Sequence, residues 1–355
     1  MSTLLKKYEM NTNSTSQGEN LIFLISQPRA GSTLLQRILE NHSEVHTAAE
    51  PWIMLHPLYA LRAHGYNAEY NAAWSRLAVN DFIQLLPEGK ETYYRALRQT
   101  YAQLYQALLE NSGKRYFLDK TPRYYHIIPE LYQVFPKAKF IILIRNPVAV
   151  LCSIINTWIK ESWSHLRKYQ HDLIQAPQLL LEGAQLISSE NCLVVSYENL
   201  LTSPEKQVEE ICQFLEIPFS EQMIHYGNVE KKGFGYQEQR QDLHLSGLPQ
   251  AQNLDRWISD LRDPQIWRVV NDYVELLGAE LLDRMGYQYE ELKQITVKYK
   301  PYSFNTWNVL PLQYFLSPPR GYQKWKYNLF RFSRVLHQQG LNKTIKYLQT
   351  SVKSA

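Results

Sequence analysis

Residues 27–33, QPRAGST, stand between an apolar run and a helical pattern and gather groups suited to holding an anion. A turn at this point aims the free N–H groups that open the next helix, around Gly31 to Thr33, at one spot, where the helix dipole adds positive potential. Gly31 lets the backbone approach closely, and the Ser32 and Thr33 hydroxyls add donors. The nucleoside-triphosphate version of such a loop, GxxxxGK[ST], has a leading glycine and a lysine for the terminal phosphates. Here the leading glycine is missing and Ser32 stands in the lysine's place. Arg29 supplies the cation instead, a planar fork able to grip a phosphate or a transferring oxyanion without a metal.

Four other places carry chemistry. Glu50 lies 21 residues beyond Arg29, room for a helix of about three turns and a return strand or loop to the same end of a sheet. His42 and His46 share that stretch and read as cap or surface residues. Lys120 follows the short strand of RYFLDKTP, whose Thr121-Pro122 marks a turn, so it falls on the carboxyl edge where open parallel sheets bind ligands. Arg145 ends the apolar run 140–144, Pro147 suits a first helical turn, and Ser153 lies eight residues after Arg145. An arginine at a strand end and a serine in the next helix can converge on one phosphate. Tyr197, in SYENL, either approaches a bound nucleotide or packs in the core.

PRAGST after a hydrophobic strand resembles the 5′-phosphosulfate loop of sulfotransferases that use 3′-phosphoadenosine-5′-phosphosulfate (PAPS), in the broad group that includes the tyrosylprotein and bacterial types. The Arg29–Glu50 spacing, the Asp119-Lys120 pair, the Arg145–Ser153 spacing, and SYENL followed by a helix ending in FLEIP extend the resemblance over roughly residues 20 to 290. It implies that Glu50 is the general base and that Lys120 neutralises charge on the oxygen leaving the sulfuryl group. It implies further that Arg29, Ala30, Gly31, Ser32 and Thr33 hold the 5′-phosphosulfate, with Arg29 also steadying developing charge. Arg145 and Ser153 then take the 3′-phosphate, and Tyr197 approaches the cofactor. The implied reaction is in-line transfer from PAPS to an acceptor hydroxyl, with no metal expected. Lys231, Lys232 and Arg240 stand where family members close a loop over the nucleotide, and no choice among them is made. The residues also admit a P-loop kinase of small molecules, or a noncatalytic nucleotide-binding interaction protein on the same scaffold.

Only a parallel sheet brings these residues to one edge. Residues 21–26 and 140–144 are continuous apolar runs of the kind buried on both faces, and Leu34, Leu35, Ile38 and Leu39 recur at helical spacing. The expected fold is α/β, a three-layer P-loop-type fold with a central parallel sheet flanked by helices. Its domain covers 21–290, between a disordered polar arm, 1–20, and a basic, aromatic, partly helical C-terminal extension, 291–355. Residues 55–112 read as mainly helical, an insertion on the acceptor side. The 355 residues suffice for one large domain.

The net charge of +4 conceals an asymmetry. From Leu292 onward the chain holds 11 of the 38 lysines and arginines and none of the 34 acidic residues, leaving 27 basic against 34 acidic before it. A general nucleic-acid role is therefore not expected, whereas the tail's SRVLHQQGLNKTIKYLQ suits an acidic protein, an anionic membrane or the acidic body itself. Three cysteines without CxxC spacing disfavour a zinc site or a disulfide framework and fit a cytoplasmic setting. No apolar run reaches membrane-spanning length, which departs from the anchored secretory members of the resembled family. The acceptor hydroxyl then belongs to a small molecule, carbohydrate, lipid or carrier-bound intermediate.

Overall fold

The structure is a computed structural model that describes residues 16–48, 50–159, 162–226, 247–249, 251–302 and 309–317. Lys231, Lys232, Arg240, most of the polar arm and the tail beyond 317 lie outside the described residues. Five parallel strands form the sheet in the order β2-β3-β1-β4-β5. They are β1 (Leu21–Ser26), β2 (Val45–Thr47), β3 (Tyr116–Lys120), β4 (Lys139–Ile144) and β5 (Cys192–Ser196). Every residue of β1 is buried, which is why its sequence is continuously apolar instead of alternating.

The strand order reverses at β1: the chain first moves to the β2 side and after β3 crosses to β4. Such a switch point opens a crevice beyond the carboxyl ends of the strands. Register brings the expected site residues to that edge, with Leu24 beside Lys120, Ser26 beside Leu143 and Ile144 beside Ser196.

Helices flank the sheet. The first, α1 (Ser32–Glu40), buries Leu34, Leu35, Ile38 and Leu39. Residues 55–112 are indeed mainly helical, as α2 (Leu55–Tyr59), α3 (Ala72–Gln84) and α4 (Lys90–Ser112). The chain continues through α5 (Ile128–Val134), α6 (Pro147–Ile154), α7 (Ala176–Leu186), α8 (Tyr197–Thr202) and α9 (Pro204–Leu215). At the core, Phe23 of β1 meets Tyr105, Tyr124, Phe135 and Phe140 at ring-centroid distances of 6.3, 6.2, 5.8 and 5.3 Å. Each such aromatic pair adds about 0.5–1.5 kcal/mol beyond its buried area.

The described residues divide into two compact units, one up to Arg145 and over 179–251, the other over 146–178 and from 252 onward. The first holds the whole sheet. In the second, α6 is capped by Asn146, whose Oδ1 accepts from the Val148 N–H at 2.9 Å, and packs on the helix Pro264–Arg284. That helix anchors the chain after 291: Trp267 Nε1–H donates to the Thr296 carbonyl at 2.7 Å, and Gln265 exchanges two 2.7 Å bonds with the Leu310 backbone. No helix among the described residues is long and apolar enough to cross a membrane.

Candidate active site

The loop between β1 and α1 is held in a shape that most residues resist. Gly31 has φ +99° and Arg29 has φ +72°. For a residue with a Cβ, such left-handed backbone costs about 1–3 kcal/mol and persists only where neighbours enforce it. The enforcing neighbour of Arg29 is Arg145, whose Nη1–H donates to the Arg29 carbonyl at 2.9 Å. The guanidinium of Arg145 also lies 4.3 Å from the Tyr197 ring centroid. Tyr197 in turn covers Gly31 so closely that a Cβ there would fall 2.3 Å from its Cε2. Glycine at 31 is thus required twice, by its backbone angle and by the tyrosine above it.

Above this brace, the Nε of Arg145 is buried without a hydrogen-bond partner among the described residues. An orphaned buried cationic donor calls for an anion. The N–H groups of the first turn of α1, at Ser32 and Thr33, have no partner inside the helix and carry its positive end. Ala30 and Ser32 are buried and Thr33 half-buried. This donor set, all N–H and hydroxyl with two arginines, fits phosphate and sulfate oxygens.

One strand over, Lys120 and Glu50 form a pair. Lys120 Nζ lies 2.7 Å from Glu50 Oε1, with the ammonium side chain 3% exposed and the carboxylate 22%. Trp52 Nε1–H donates to the other carboxylate oxygen, Oε2, at 3.1 Å. Two donors thus fix the plane of the carboxylate. The segment carrying Glu50 is tied from both sides. Gln36 of α1 donates to Thr47 Oγ1 at 2.8 Å and to the Ala48 carbonyl at 3.0 Å, and the Met54 N–H donates to Tyr124 Oη at 3.2 Å.

The residue beside Lys120 is not among the expected site residues. Asp119 is wholly enclosed, accepting from the hydroxyls of Tyr105 at 2.7 Å, Tyr124 at 3.1 Å and Thr121 at 2.7 Å. Burial pushes its carboxyl up from 3.8 to about 6, against the lowering effect of those three hydroxyls and with the help of the Glu50 charge. Between those two pH values the folded chain holds a proton that the unfolded chain has lost. The stability contributed by this group is therefore greatest below about pH 4, falls as pH rises to about 6, and is level above, a total of about 3 kcal/mol. Asp119→Asn removes that slope. Relative to wild type, the variant should gain about 3 kcal/mol between pH 4 and pH 7 in urea unfolding, and a pH-independent difference would refute the burial effect. The available signal was a carboxylate inside a short strand, YFLDK, that is buried along its whole length.

The other expected residues fall as follows. His42 is buried and fastened: its Nδ1 accepts from the Glu44 N–H at 3.1 Å, so Nε2–H donates to the Pro218 carbonyl at 2.9 Å. His46 is half-buried with its ring edge on Phe117. Ser153 is half-buried on α6, which belongs to the second unit. The structure therefore brings together Arg29, Gly31, Arg145 and Tyr197 in one cluster and Glu50, Lys120 and Trp52 in another, both at the carboxyl edge of the sheet.

A family model described as "Sulfotransferase family" matches residues 21–221, a span that holds every one of these residues. The nodulation protein NoeE of Sinorhizobium fredii is 27% identical over 296 residues, 76% of this chain and 66% of its own length. Protein-tyrosine sulfotransferase A of Caenorhabditis elegans is 25% identical, over 75% of this chain and 67% of its own. For the protein-tyrosine sulfotransferase of Drosophila melanogaster the values are 24%, 75% and 51%. The chain thus spans about two thirds or less of the length of these curated relatives. Among solved structures, a sulfotransferase domain from the curacin biosynthetic pathway is 20% identical with a TM-score of 0.49, over 75% of this chain and 97% of that domain.

Proposed function

The chain belongs to the sulfotransferase family, and on that premise we propose that it moves a sulfuryl group from PAPS to an acceptor hydroxyl, leaving adenosine 3′,5′-bisphosphate. The observation that carries this reading is the Glu50–Lys120 pair, 2.7 Å apart and one strand over from the anion-binding loop. A general base and a cation at the edge of a phosphate loop are what sulfuryl transfer to a hydroxyl needs.

PAPS when bound supplies the sulfuryl group. Arg29, Ala30, Gly31, Ser32 and Thr33 hold its 5′-phosphosulfate through N–H and hydroxyl donors, and Arg145 with Ser153 takes the 3′-phosphate. Glu50 accepts the acceptor's proton. Lys120 has three N–H donors, one of them on Glu50 Oε1, and turns the others to the leaving oxygen. Both arginines are permanently charged, so no metal is needed to balance the anion.

The acceptor is a hydroxyl on a small molecule, carbohydrate, lipid or carrier-bound intermediate. The tyrosine named for the C. elegans relative belongs to the same hydroxyl class. The transferase domain is assigned to 21–290, with 291–355 as a basic arm for an acidic protein or an anionic membrane, and the site of action to the cytoplasm.

Arg145 distinguishes this reading from a generic phosphate loop. Losing a charge-assisted hydrogen bond costs about 1.5–3 kcal/mol. Arg145→Ala should therefore weaken adenosine 3′,5′-bisphosphate binding about 10- to 100-fold more than adenosine 5′-phosphosulfate binding, measured by calorimetry. Equal losses for both ligands would mean that Arg145 acts only through its brace on the Arg29 carbonyl.

A further inference from the structure

Trp52 has a feature that the reaction as described above does not use. Its backbone has φ +57°, a genuine outlier for a bulky side chain. The strained turn delivers the indole to the base: Nε1–H donates to Glu50 Oε2 at 3.1 Å. The turn is held behind by the Leu55 N–H on the Trp52 carbonyl at 3.1 Å and by Met54 on Tyr124. The guanidinium of Arg123 lies 5.5 Å from the ring centroid, steadying the indole by a cation–π contact. Even so, Trp52 is only half-buried.

We propose that Trp52 is both the residue that orients Glu50 and the wall of the acceptor subsite, selecting a hydroxyl carried on a ring, such as a phenol or a pyranose. This rests on Glu50 being the base of the proposed reaction. The geometry leaves little choice. An acceptor oxygen within hydrogen-bond reach of Glu50 Oε2, about 2.7 Å, lies within about 6 Å of the indole nitrogen. The carbon frame of the acceptor then comes within reach of the indole. A planar or chair-shaped ring covers such a surface with little loss of internal freedom, whereas a linear alcohol must freeze several rotors to do so.

Indole N–H signals in ¹H–¹⁵N NMR test this without needing turnover. Trp52→Phe assigns the Trp52 signal by its loss, and Glu50→Gln should move that signal in the otherwise intact protein. Phenol, methyl β-D-glucopyranoside and 1-hexanol are then titrated into the wild type. The expected result is a saturable shift of the Trp52 signal with phenol or the glucoside, at least about tenfold weaker with hexanol. An unmoved Trp52 signal, or an equal response to hexanol, overturns the subsite. The bisphosphate titration below reports separately on the proposed reaction, so a failure there leaves this result readable. With a turned-over acceptor, Trp52→Phe should lower kcat with KM nearly unchanged, and Trp52→Leu should also raise KM. Equal effects of both variants on both constants would indicate a structural role only.

Discussion

Glu50→Gln should lower the rate of sulfuryl transfer by about 10²- to 10⁴-fold, the usual contribution of a general base, while adenosine 3′,5′-bisphosphate binds as tightly as to the wild type. The separation follows from where the two functions sit. Nucleotide phosphates fall to Arg145 and the loop, whose brace runs through Arg29 and Tyr197 and involves no atom of Glu50. Glutamine keeps one oxygen, which can go on accepting from Lys120, but it cannot take a proton. Alanine is the poorer probe, because it strips the nearly buried Lys120 ammonium of its carboxylate and adds an electrostatic cost of its own. Single-turnover measurements with bound PAPS read the chemical step directly. Transfer by Glu50→Gln at the wild-type rate would remove the base assignment and leave the Glu50–Lys120 pair a structural ion pair.

Gly31→Ala should be the most damaging glycine-to-alanine change among the described residues. The backbone at φ +99° costs alanine about 1–3 kcal/mol, and the new Cβ would lie 2.3 and 2.4 Å from Tyr197 Cε2 and Cδ2, an overlap that costs about 1–3 kcal/mol more. The ring can yield only by moving off Arg145, whose guanidinium it stacks on, so nucleotide affinity should fall together with stability. A double-mutant cycle separates the two causes. In Tyr197→Ala the methyl at 31 has space, so only the backbone part of its cost should remain. The cycle should therefore show a coupling of about 1–3 kcal/mol in urea unfolding. Additive losses would mean that Tyr197 does not press on the loop.

Much of this site is legible in the chain because its parts are local. A continuous apolar run, a turn with glycine and a helical repeat place Arg29 to Thr33 without any knowledge of the rest, and strand ends place Lys120 and Arg145. What local pattern does not carry is who leans on whom. That Arg145 holds the Arg29 carbonyl depends on a pairing 116 residues apart, and that Gly31 answers to Tyr197 depends on β1, β4 and β5 lying in that order. Asp119 was visible as a carboxylate in a buried strand, yet its three hydroxyl partners come from α4 and from the turn after β3, which no periodicity links. Trp52 was hidden differently, since nothing in EPWIML announces a left-handed tryptophan. Residues 55–112 read as mainly helical, and they are, but their long polar and aromatic stretches carry no pattern that points to an acceptor.

The most direct measurement is calorimetric titration of the full chain with adenosine 3′,5′-bisphosphate, beside ATP with magnesium and 5′-AMP. Selective binding of the bisphosphate, at least about tenfold tighter than either control, is the predicted result, since a charged hydrogen bond from Arg145 to the 3′-phosphate is worth about 1.5–3 kcal/mol. Preference for ATP with magnesium would contradict a PAPS-dependent transfer and identify the loop as a kinase-type phosphate site.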